Sequence, residues 1–586
     1  MSSDVSKSNS SPSSGRPVYH FIAPRGWLND PCAPGYDPRT GLFHLFYQWN
    51  PHSHAWDKIS WGHATSKDLL HWDHASDDTP ILVPDAAYDL EGVFTGCFYP
   101  TGPAGEPDQL TVFYSSVNHL PIAWDQAYSR GCEGLAIATS SDGGKTWTKY
   151  AHNPILAEEP PAIHVTGFRD PYLAPWPEMD GLRGQGSSLY GLISGGIHGQ
   201  GPRTFLYSLD PTDLTRWTYL HPLVVDIPNN FVPSNKWSGD LGVNWECTNF
   251  VTLSHGRHTR TVLIPGSEGG HERPWVTLHH EKHPASARRA PRYGNWFFGH
   301  LQKHDDKVQM HIGPAGLIDW GILYAANTFQ APDGRRLLWG WIIEEDLPNA
   351  VLANKGWTGC MGLPRELFLQ VTEHVVGALS SSLDSVGSFD LVHGKTDSVV
   401  TLGIRPAEEI GQLRRSLLYD HSPSPIKPSR RCLVDSPLSC EIAACIRVFE
   451  STKSISIVIR HSSDHSIQTR IVFDCKKETL SVLRNDSTNR SEVNTSPEIG
   501  SHTLLRLADT TDTGCIEPLR LRVFIDHDVI EVFANDRFAI ATRVYTPVEH
   551  TGITLASEGG GWVEELKIWE IASTQDDREP ESQMGK

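Results

Sequence analysis

A strand, a polar turn and a tryptophan recur three times in the first half of this chain, and this pattern restricts the fold more than any other feature. The segments are ATSKDLLHW (64–72), ATSSDGGKTW (138–147) and YSLDPTDLTRW (207–217). Each predicts a strand, a tight turn and an aromatic residue that opens the next strand. Their spacing fits a unit of four antiparallel strands with long loops, as in a β-propeller; the alternative is unrelated β-hairpins with similar turns.

Length and composition favour an all-β chain of more than one domain. The 586 residues exceed one ordinary domain, and 50 Gly and 41 Pro stand among 19 Trp and 20 Phe. Alternating segments at 454–460, 469–474 and 519–534 predict half-buried antiparallel strands. We predict a disordered tail (1–15), a five-bladed β-propeller (16–375), a Ser- and Gly-rich linker (376–398), a β-sandwich (399–573) and a second disordered tail (574–586).

Charge and hydropathy exclude several classes of partner. The formal net charge of −19 repels phosphate, so we expect no binding of nucleic acid or anionic lipid, and a neutral substrate fits better. The sequence contains no 18-residue apolar run and no apolar core of a secretory signal near its start, so no membrane segment is expected. Ten Cys are too sparse for a disulfide scaffold, which predicts a cytoplasmic protein.

Three acidic residues lie in distinctive surroundings: Asp30 in GWLNDPCA, Asp170 in TGFRDPY and Glu246 in NWECTNF. Taken singly, each of these acids could be a turn or capping residue as readily as a catalytic one. In a propeller, however, they would come from different blades, whose inner strands converge on one channel. Cleavage of a glycosidic bond needs such a set, because one carboxylate attacks or stabilises the anomeric carbon while a protonated carboxyl serves the leaving oxygen.

The neighbours of these acids suggest different tasks. The amide of Asn29 can donate to the carboxylate of Asp30 and keep it ionised, whereas Trp245 and Cys247 would give Glu246 an apolar setting that raises its pKa. Asp170 follows Arg169 in the chain and suits substrate hydroxyls and the transition state more than proton transfer.

Ordered motifs carry a resemblance to a known family. W-x-N-D-P occurs at 27–31, F-R-D-P at 168–171 and W-E-C at 245–247. YQWNP (47–51), the blocks DWG, YAANTF and GRRLLWGW within 319–341, LPREL (363–367) and DHDVIEVFAN (526–535) extend the likeness along the chain. The sequence resembles glycoside hydrolase family 32, which contains invertases, inulinases and fructosyltransferases.

The resemblance implies a five-bladed propeller, a sandwich and a retaining mechanism that needs no cofactor. Asp30 would be the nucleophile, Glu246 the acid/base and Asp170 the stabiliser of the transition state. By motif position, further residues would bind the sugar: Asn29, Gln48, Trp56, Thr95, Arg169 and Trp357 at the fructosyl unit, and Ile122 and Glu268 near the acceptor or glucosyl unit.

Departures from the family pattern concern specificity. Cys32-Ala33 and Thr248-Asn249 stand where Asn-Gly and Pro-Asp are usual, and Thr95 replaces Ser or Asp. The changes at 32–33 and 248–249, together with LPIAWDQAYSRG (120–131), resemble fungal enzymes that transfer fructose. The resemblance therefore implies cleavage of sucrose with synthesis of fructooligosaccharides as well as hydrolysis. An exo-acting, inulinase-like fructan hydrolase and a catalytically silent carbohydrate-binding propeller are the alternatives.

Other motifs predict no further chemistry. HHEKH (279–283) has metal-binding residue types, but the adjacent SARRAPR (286–292) favours a solvated loop, so no metal site is predicted. No Gly-rich phosphate loop or nucleophile elbow occurs in a strand-to-helix context. The C-terminal unit could be a sugar-binding module or a dimerisation surface, and a homodimer is the candidate assembly.

Overall fold

The computed structural model describes residues 15–394, 397–426, 432–508 and 514–575, and most regular structure in these ranges is β-strand. Its α-helices are short: α1 (Pro177–Arg183), α2 (Pro274–Lys282) and α3 (Asn349–Lys355). The 3-10 helices are Leu383–Ser385 and Glu408–Leu413. The all-β prediction is confirmed. No helix in these ranges is long and apolar enough to cross a membrane, and the expected tails at 1–15 and 574–586 lie almost entirely outside them.

Antiparallel sheets follow one another along the first part of the chain. The first contains β1 (Gly26–Asp37), β2 (Leu42–Asn50), β3 (Ser60–Ser66) and β4 (Asp73–His74), and the second β5 (Gly92–Tyr99), β6 (Leu110–Val117), β7 (Glu133–Ser140) and β8 (Thr148–Lys149). The third contains β9 (Val165–Pro175), β10 (Leu189–Ile197), β11 (Gly201–Asp210) and β12 (Asp213–Pro222), and the fourth β13 (Asn244–His255), β14 (His258–Glu268), β15 (Arg292–His304) and β16 (Lys307–Leu317). The fifth is built on β17 (Leu323–Gln330) and β18 (Arg336–Ile342), followed in the chain by β19 (Trp357–Thr358), β20 (Cys360–Met361), β21 (Arg365–Ala378), β22 (Asp390–Val392) and β23 (Asp397–Pro406). Strand β19 does not belong to the fifth sheet; it joins the edge of the first sheet, where it pairs with β1 in parallel.

The first strands of these sheets form a closed ring. Strand β1 contacts β5, β5 contacts β9, β9 contacts β13, β13 contacts β17, and β17 contacts β1 again. Side chains from each sheet can therefore reach one central region, which is the arrangement of a propeller.

The recurring tryptophans occupy equivalent places in three sheets. Trp72 and Trp147 immediately precede the fourth strand of their sheets, and Trp217 lies within β12. In each case the indole Nε1 donates to the carbonyl oxygen three residues earlier, at 3.0, 3.0 and 3.2 Å. The internal repeat inferred from sequence is therefore a structural repeat of the connection between third and fourth strands.

The second half of the chain forms two further antiparallel sheets. Their strands are β24 (Arg414–His421), β25 (Ser424–Pro425), β26 (Val434–Asp435), β27 (Ser439–Arg447), β28 (Ser454–His461), β29 (Thr469–Asp474), β30 (Thr479–Leu483), β31 (Glu498–Ser501), β34 (Leu519–Asp526), β35 (Val529–Ala534), β36 (Phe538–Arg543), β37 (Gly552–Glu558) and β38 (Trp562–Ile571), while β32 (Leu505–Leu507) and β33 (Cys515–Ile516) join the fifth sheet. Ile442 of one sheet and Ile457 of the other belong to one apolar core. The strands predicted at 454–460, 469–474 and 519–534 are confirmed as β28, β29 and the β34–β35 hairpin. A propeller followed by a sandwich is consistent with this architecture.

The expected linker at 376–398 contributes to the fifth sheet. It contains the end of β21, the 3-10 helix Leu383–Ser385, β22 and the start of β23, and these strands pair antiparallel. Val386 and Phe389 pack there against Trp237. The segment is thus held by its own strand pairing and by a small apolar core.

A buried charge network joins the N-terminal segment to the second half of the chain. The Asp526 carboxylate accepts the backbone N–H groups of Val18, Tyr19 and His20 at 2.8 to 2.9 Å. The His20 ring contacts Asp526 at 2.8 Å and Glu531 at 3.1 Å. Burial alone would lower the pKa of His20, but these carboxylates raise it to about 9. The DHDVIEVFAN motif, which contains both acids, therefore connects the two halves.

Candidate active site

The three acids singled out by sequence lie together in one cavity of about 370 Å³. Its lining comprises Trp27, Asn29, Asp30, Gln48, Trp56, Phe94, Ile122, Arg169, Asp170, Glu246, Glu268, Arg292, Tyr324, Trp341 and Glu345. Cavities of about 430 and 730 Å³ elsewhere contain none of the three acids. The central cavity is therefore the candidate active site, because convergent polar groups distinguish a site more than volume does.

Each strand of the ring has an irregularity beside a polar residue of this site. Pairing is interrupted at Asp30 in β1, at Thr95 in β5 and at Asp170 in β9. It is also interrupted just after Glu246 in β13 and just after Tyr324 in β17. An extra residue in one strand bends it and re-aims its side chains, as is frequent beside active sites. Each of the five sheets thus contributes at least one polar group to the site, and Thr95 of the second sheet does so through its hydrogen bond to Asp30.

Asp30 is held by a closed set of hydrogen bonds. Thr95 Oγ1 donates to Oδ2 at 2.5 Å, and Asn29 Nδ2 donates to Oδ1 at 3.1 Å. Asn29 also donates to Gln48 Oε1, and Gln48 Nε2 donates to Thr95 Oγ1, both at 2.7 Å. The predicted residues Asn29, Gln48 and Thr95 therefore meet at the candidate nucleophile and fix its orientation.

Burial dominates the ionisation of Asp30. The predicted hydrogen bond from Asn29 is present, and together with that from Thr95 it favours the charged form. Desolvation, with the nearby charge of Glu246, outweighs these bonds and raises the pKa of Asp30 to about 6. The carboxylate is consequently ionised only above mildly acidic pH.

Arg169 is the central cation of the site. Its guanidinium donates to Glu133 Oε1 at 3.0 Å, to Glu246 Oε1 at 2.8 and 3.0 Å, and to Glu268 Oε2 at 2.8 Å. It also forms an ion pair with Asp170 at 3.7 Å. Burial alone would lower the pKa of Arg169, but the surrounding carboxylates raise it well above its usual value. Arg169 was predicted to touch the sugar; it lines the cavity and also holds the acids in place.

The setting of Glu246 differs from the apolar one predicted from Trp245 and Cys247. Glu246 Oε1 accepts two bonds from Arg169, and Oε2 accepts the hydroxyl of Tyr324 at 2.8 Å. Both partners are distant in sequence, so chain neighbours were a poor guide. The side chain retains 18% exposure towards the cavity, where it can meet a leaving group.

Asp170 is the most constrained of the three acids. Its backbone has a φ of 57°, in the left-handed region, and its N–H donates to Ser115 Oγ at 2.7 Å. Cys247 Sγ lies 3.8 Å from Asp170 Oδ2 and 3.7 Å from Asp30 Oδ2, so one thiol bridges the two carboxyls. Burial raises the pKa of Asp170 well above its usual value, despite the opposing charge of Arg169.

Glu268 lies beside Glu246 on the same arginine. Its Oε2 accepts from Arg169 at 2.8 Å and from Asn244 at 3.2 Å. Burial, followed by the charge of Glu246, raises its pKa to about 7. Glu268 therefore binds a proton at higher pH than an exposed glutamate does.

The predicted apolar contacts with the sugar are partly reproduced. Trp56 and Ile122 line the cavity, with Trp56 42% exposed. Trp357 does not line it, contrary to prediction. Its ring is buried because β19 pairs beside β1, and Lys355 Nζ lies 3.7 Å from the ring centroid. The tryptophan on the cavity wall is instead Trp341.

Six lining residues received no role from sequence. They are Trp27, Phe94, Arg292, Tyr324, Trp341 and Glu345. Tyr324 and Trp341 stand in the YAANTF and GRRLLWGW blocks that support the family resemblance, so those blocks contained the signal. Arg292, whose Nη1 donates to Glu345 Oε1 at 2.9 Å, ends the SARRAPR stretch.

The solvated loop predicted at HHEKH (279–283) is only partly correct, because residues 283–291 form no helix or strand and residues 281–285 are exposed, but the stretch begins in a helix. Residues 279–282 belong to α2, and His279 and His280 are buried. Arg289 pairs with Asp346 and Glu498, acids that are distant in sequence. Within the described ranges, no group of His, Cys, Asp and Glu side chains has an arrangement suited to holding a metal ion.

Comparison with protein families decides the classification. Residues 20–377 match the model of the glycosyl hydrolases family 32 N-terminal domain, and residues 414–570 match that of the family's C-terminal domain. The chain belongs to glycoside hydrolase family 32. Both halves match, so the family resemblance read from the motifs is confirmed, and the chain is a glycoside hydrolase of the β-fructofuranosidase and fructosyltransferase family.

Proteins similar to this chain come from fungi and plants. The solved β-fructofuranosidase of Aspergillus kawachii, complexed with glycerol, is 28% identical with a TM-score of 0.84, covering 97% of this chain and 96% of that one. The fructosyltransferase of A. japonicus is 25% identical with a TM-score of 0.82, covering 96% of each chain. The 6(G)-fructosyltransferase of Asparagus officinalis is 27% identical over 96% of this chain and 88% of its own length.

Proposed function

We propose that this family 32 enzyme is a retaining β-fructofuranosidase that cleaves sucrose through a fructosyl intermediate on Asp30. Glu246 would act as acid/base and Asp170 would stabilise the transition state. The observation that carries the proposal is the convergence of these acids in one cavity, each with different partners. The ring of β1, β5, β9, β13 and β17 supports a five-bladed propeller, with the second half as a sandwich.

In the first step, Asp30 Oδ attacks the anomeric carbon of the fructosyl unit as the bond to the glucosyl oxygen breaks. Glu246 gives its proton to that oxygen, so glucose leaves neutral and the fructosyl ester forms on Asp30. Thr95 and Asn29 hold the attacking carboxylate in one orientation. Tyr324 and Arg169 hold Glu246 at the leaving group.

In the second step, Glu246 takes the proton of an incoming hydroxyl, whose oxygen attacks the fructosyl carbon and releases Asp30 as carboxylate. Water gives fructose, and a second sucrose gives a trisaccharide. The partition depends on how well a sugar is positioned against water. The likeness to the fructosyltransferases of A. japonicus and Asparagus officinalis, together with Ile122 and Glu268 on the cavity wall, supports transfer as well as hydrolysis.

Product analysis tests this proposal. The enzyme is incubated with molar sucrose and, separately, with inulin, and products are followed by chromatography. We expect glucose in excess of fructose and a trisaccharide from sucrose, with slower release of fructose from inulin. Equal glucose and fructose without trisaccharide would contradict transfer. Faster turnover of inulin would favour the fructan hydrolase, and no turnover of either sugar would favour a carbohydrate-binding propeller.

We also propose a cytoplasmic location. All ten cysteines are free thiols, and eight of them are buried, which suits a reducing compartment. Plant relatives include β-fructofuranosidases named as vacuolar, so the location needs its own test. Fluorescence of a tagged chain in the source cell should be diffuse in the cytoplasm; fluorescence confined to a vacuole would refute the proposal. The homodimer stays a prediction, which the mass in solution by light scattering would test.

A further inference from the structure

Two of the exposed aromatic rings lie at or beside the active-site cavity. Among the described residues, the exposed Trp and Phe side chains are Trp56 (42%), Trp124 (37%), Phe231 (39%) and Phe449 (42%). Trp56 lines the cavity itself. Single exposed apolar residues are common on folded proteins, but exposed apolar surface that borders a cavity can mark a ligand-binding groove.

Trp124 stands on the rim of the cavity. It lies in the connection between β6 and β7, in a turn where the N–H of Gln126 donates to the carbonyl of Ala123 at 3.1 Å. Ile122, two residues earlier, lines the cavity. The Trp124 ring lies against Gly269, the residue after the lining residue Glu268, so it stands next to the cavity wall.

Gly269 allows this contact. A methyl group at this position would lie 2.9 Å from the Trp124 ring, so a side chain would push the ring away. The φ of +70° at Gly269 favours glycine independently. Asn230 Nδ2 donates to the Gly269 carbonyl oxygen at 2.8 Å, and this hydrogen bond fixes the backbone beneath the ring. It also places Asn230, the residue before Phe231, beside the same wall. One face of Trp124 is therefore supported and the ring is left partly open to solvent.

We propose that Trp124 is a stacking platform for a sugar ring outside the fructosyl pocket, namely the acceptor sucrose or the outer units of an oligosaccharide. This inference rests on the proposed function and deepens it. The apolar face of a sugar ring stacks on an aromatic side chain, whereas water as acceptor gains nothing from such a surface. Trp124 would therefore favour transfer over hydrolysis without touching the reacting atoms.

The test compares Trp124→Ala, Trp124→Phe and the control Phe449→Ala with the wild-type enzyme. Phe449 is exposed to a similar extent but lies in the second half of the chain, away from the cavity. At molar sucrose, we expect Trp124→Ala to lower the ratio of trisaccharide to free fructose by about three- to tenfold. Trp124→Phe should keep more than half of the wild-type ratio, and Phe449→Ala should match it.

A binding measurement separates failure of this inference from failure of the proposed function. In the Asp30→Asn background, which cannot turn over, titration calorimetry with a trisaccharide should show about three- to tenfold weaker binding once Trp124→Ala is added. If the wild type cleaves no sucrose, the proposed function fails whatever the titration shows. Equal product ratios and equal trisaccharide affinities with and without Trp124 would overturn the platform alone. If the wild type makes no transfer product, the titration alone decides.

Discussion

The hydrogen bond from Thr95 to Asp30 gives a quantitative prediction for the pH profile. At 2.5 Å it is the shortest contact to the candidate nucleophile, and it favours the carboxylate against burial. A hydrogen bond to a charged group contributes about 1.5 to 3 kcal/mol. Since about 1.4 kcal/mol corresponds to one pKa unit, losing it should move the pKa of Asp30 upward by about one to two.

The perturbation is Thr95→Val, which keeps the branched shape and removes the hydroxyl. Asp30 must be ionised to attack, so kcat/KM should fall at acidic pH, with a midpoint close to the pKa of about 6. Thr95→Val should raise this midpoint by about one to two pH units. Loss of activity at pH 5 should then far exceed loss at pH 8.

Thr95→Ser is the matched control, because it retains a hydroxyl that can accept from Gln48 and donate to Asp30. Its acidic midpoint should coincide with that of the wild type. The profile is measured as kcat/KM for sucrose from pH 4 to 9, which reports the free enzyme. If Thr95→Val lowers activity equally at every pH, the Thr95 bond does not control the ionisation of Asp30 and the reasoning is wrong.

Three further predictions concern the acids, the central arginine and acid stability. Asp30→Ala and Glu246→Ala should each lower kcat by at least about a hundredfold with unchanged circular dichroism, and activity within tenfold of wild type would contradict the roles. Arg169→Gln removes the cation that pairs with Glu133, Glu246 and Glu268. The free energy of unfolding in urea should therefore fall by about 3 to 5 kcal/mol at pH 7.5. This loss of stability should be smaller at pH 5, because carboxyls with a raised pKa become neutral there. An equal loss of stability at pH 5 and pH 7.5 would contradict this. Burial lowers the pKa of His44 to about 4 and that of His63 well below its usual value, so the unfolded chain binds more protons below about pH 6.5 and stability should fall from there towards pH 4. This fall should be smaller in a His44→Gln, His63→Gln double variant, and an identical fall would refute the assignment.

The sequence alone identified the site residues and strands that are marked by short local patterns. Asp30, Asp170 and Glu246 stand in compact blocks, and the structure brings all three to one cavity. The alternating segments became strands with close to the expected limits, because a period of two is a local property. The repeat of turns that end in tryptophan likewise corresponds to one connection repeated in three sheets.

Sequence was a poor guide where the partner is remote along the chain. Glu246 was assigned an apolar setting from Trp245 and Cys247, yet its oxygens bind Arg169 and Tyr324. HHEKH was read as a solvated loop from its basic surroundings, yet His279 and His280 are buried in α2. The nearby Arg289 pairs with the remote acids Asp346 and Glu498. Pairing of β19 with β1 determines that the ring of Trp357 is buried.

The most direct test of the account is identification of the residue that carries the fructosyl group. Glu246→Gln removes the base of the second step, while a β-fructofuranosyl fluoride donor needs no proton for departure, so the intermediate should accumulate. After acid quenching and digestion, mass spectrometry should find one added fructosyl unit on the peptide that contains Asp30, and none in the Asp30→Asn, Glu246→Gln double variant. An adduct on another residue, or turnover of the fluoride without any adduct, would contradict the covalent mechanism at Asp30.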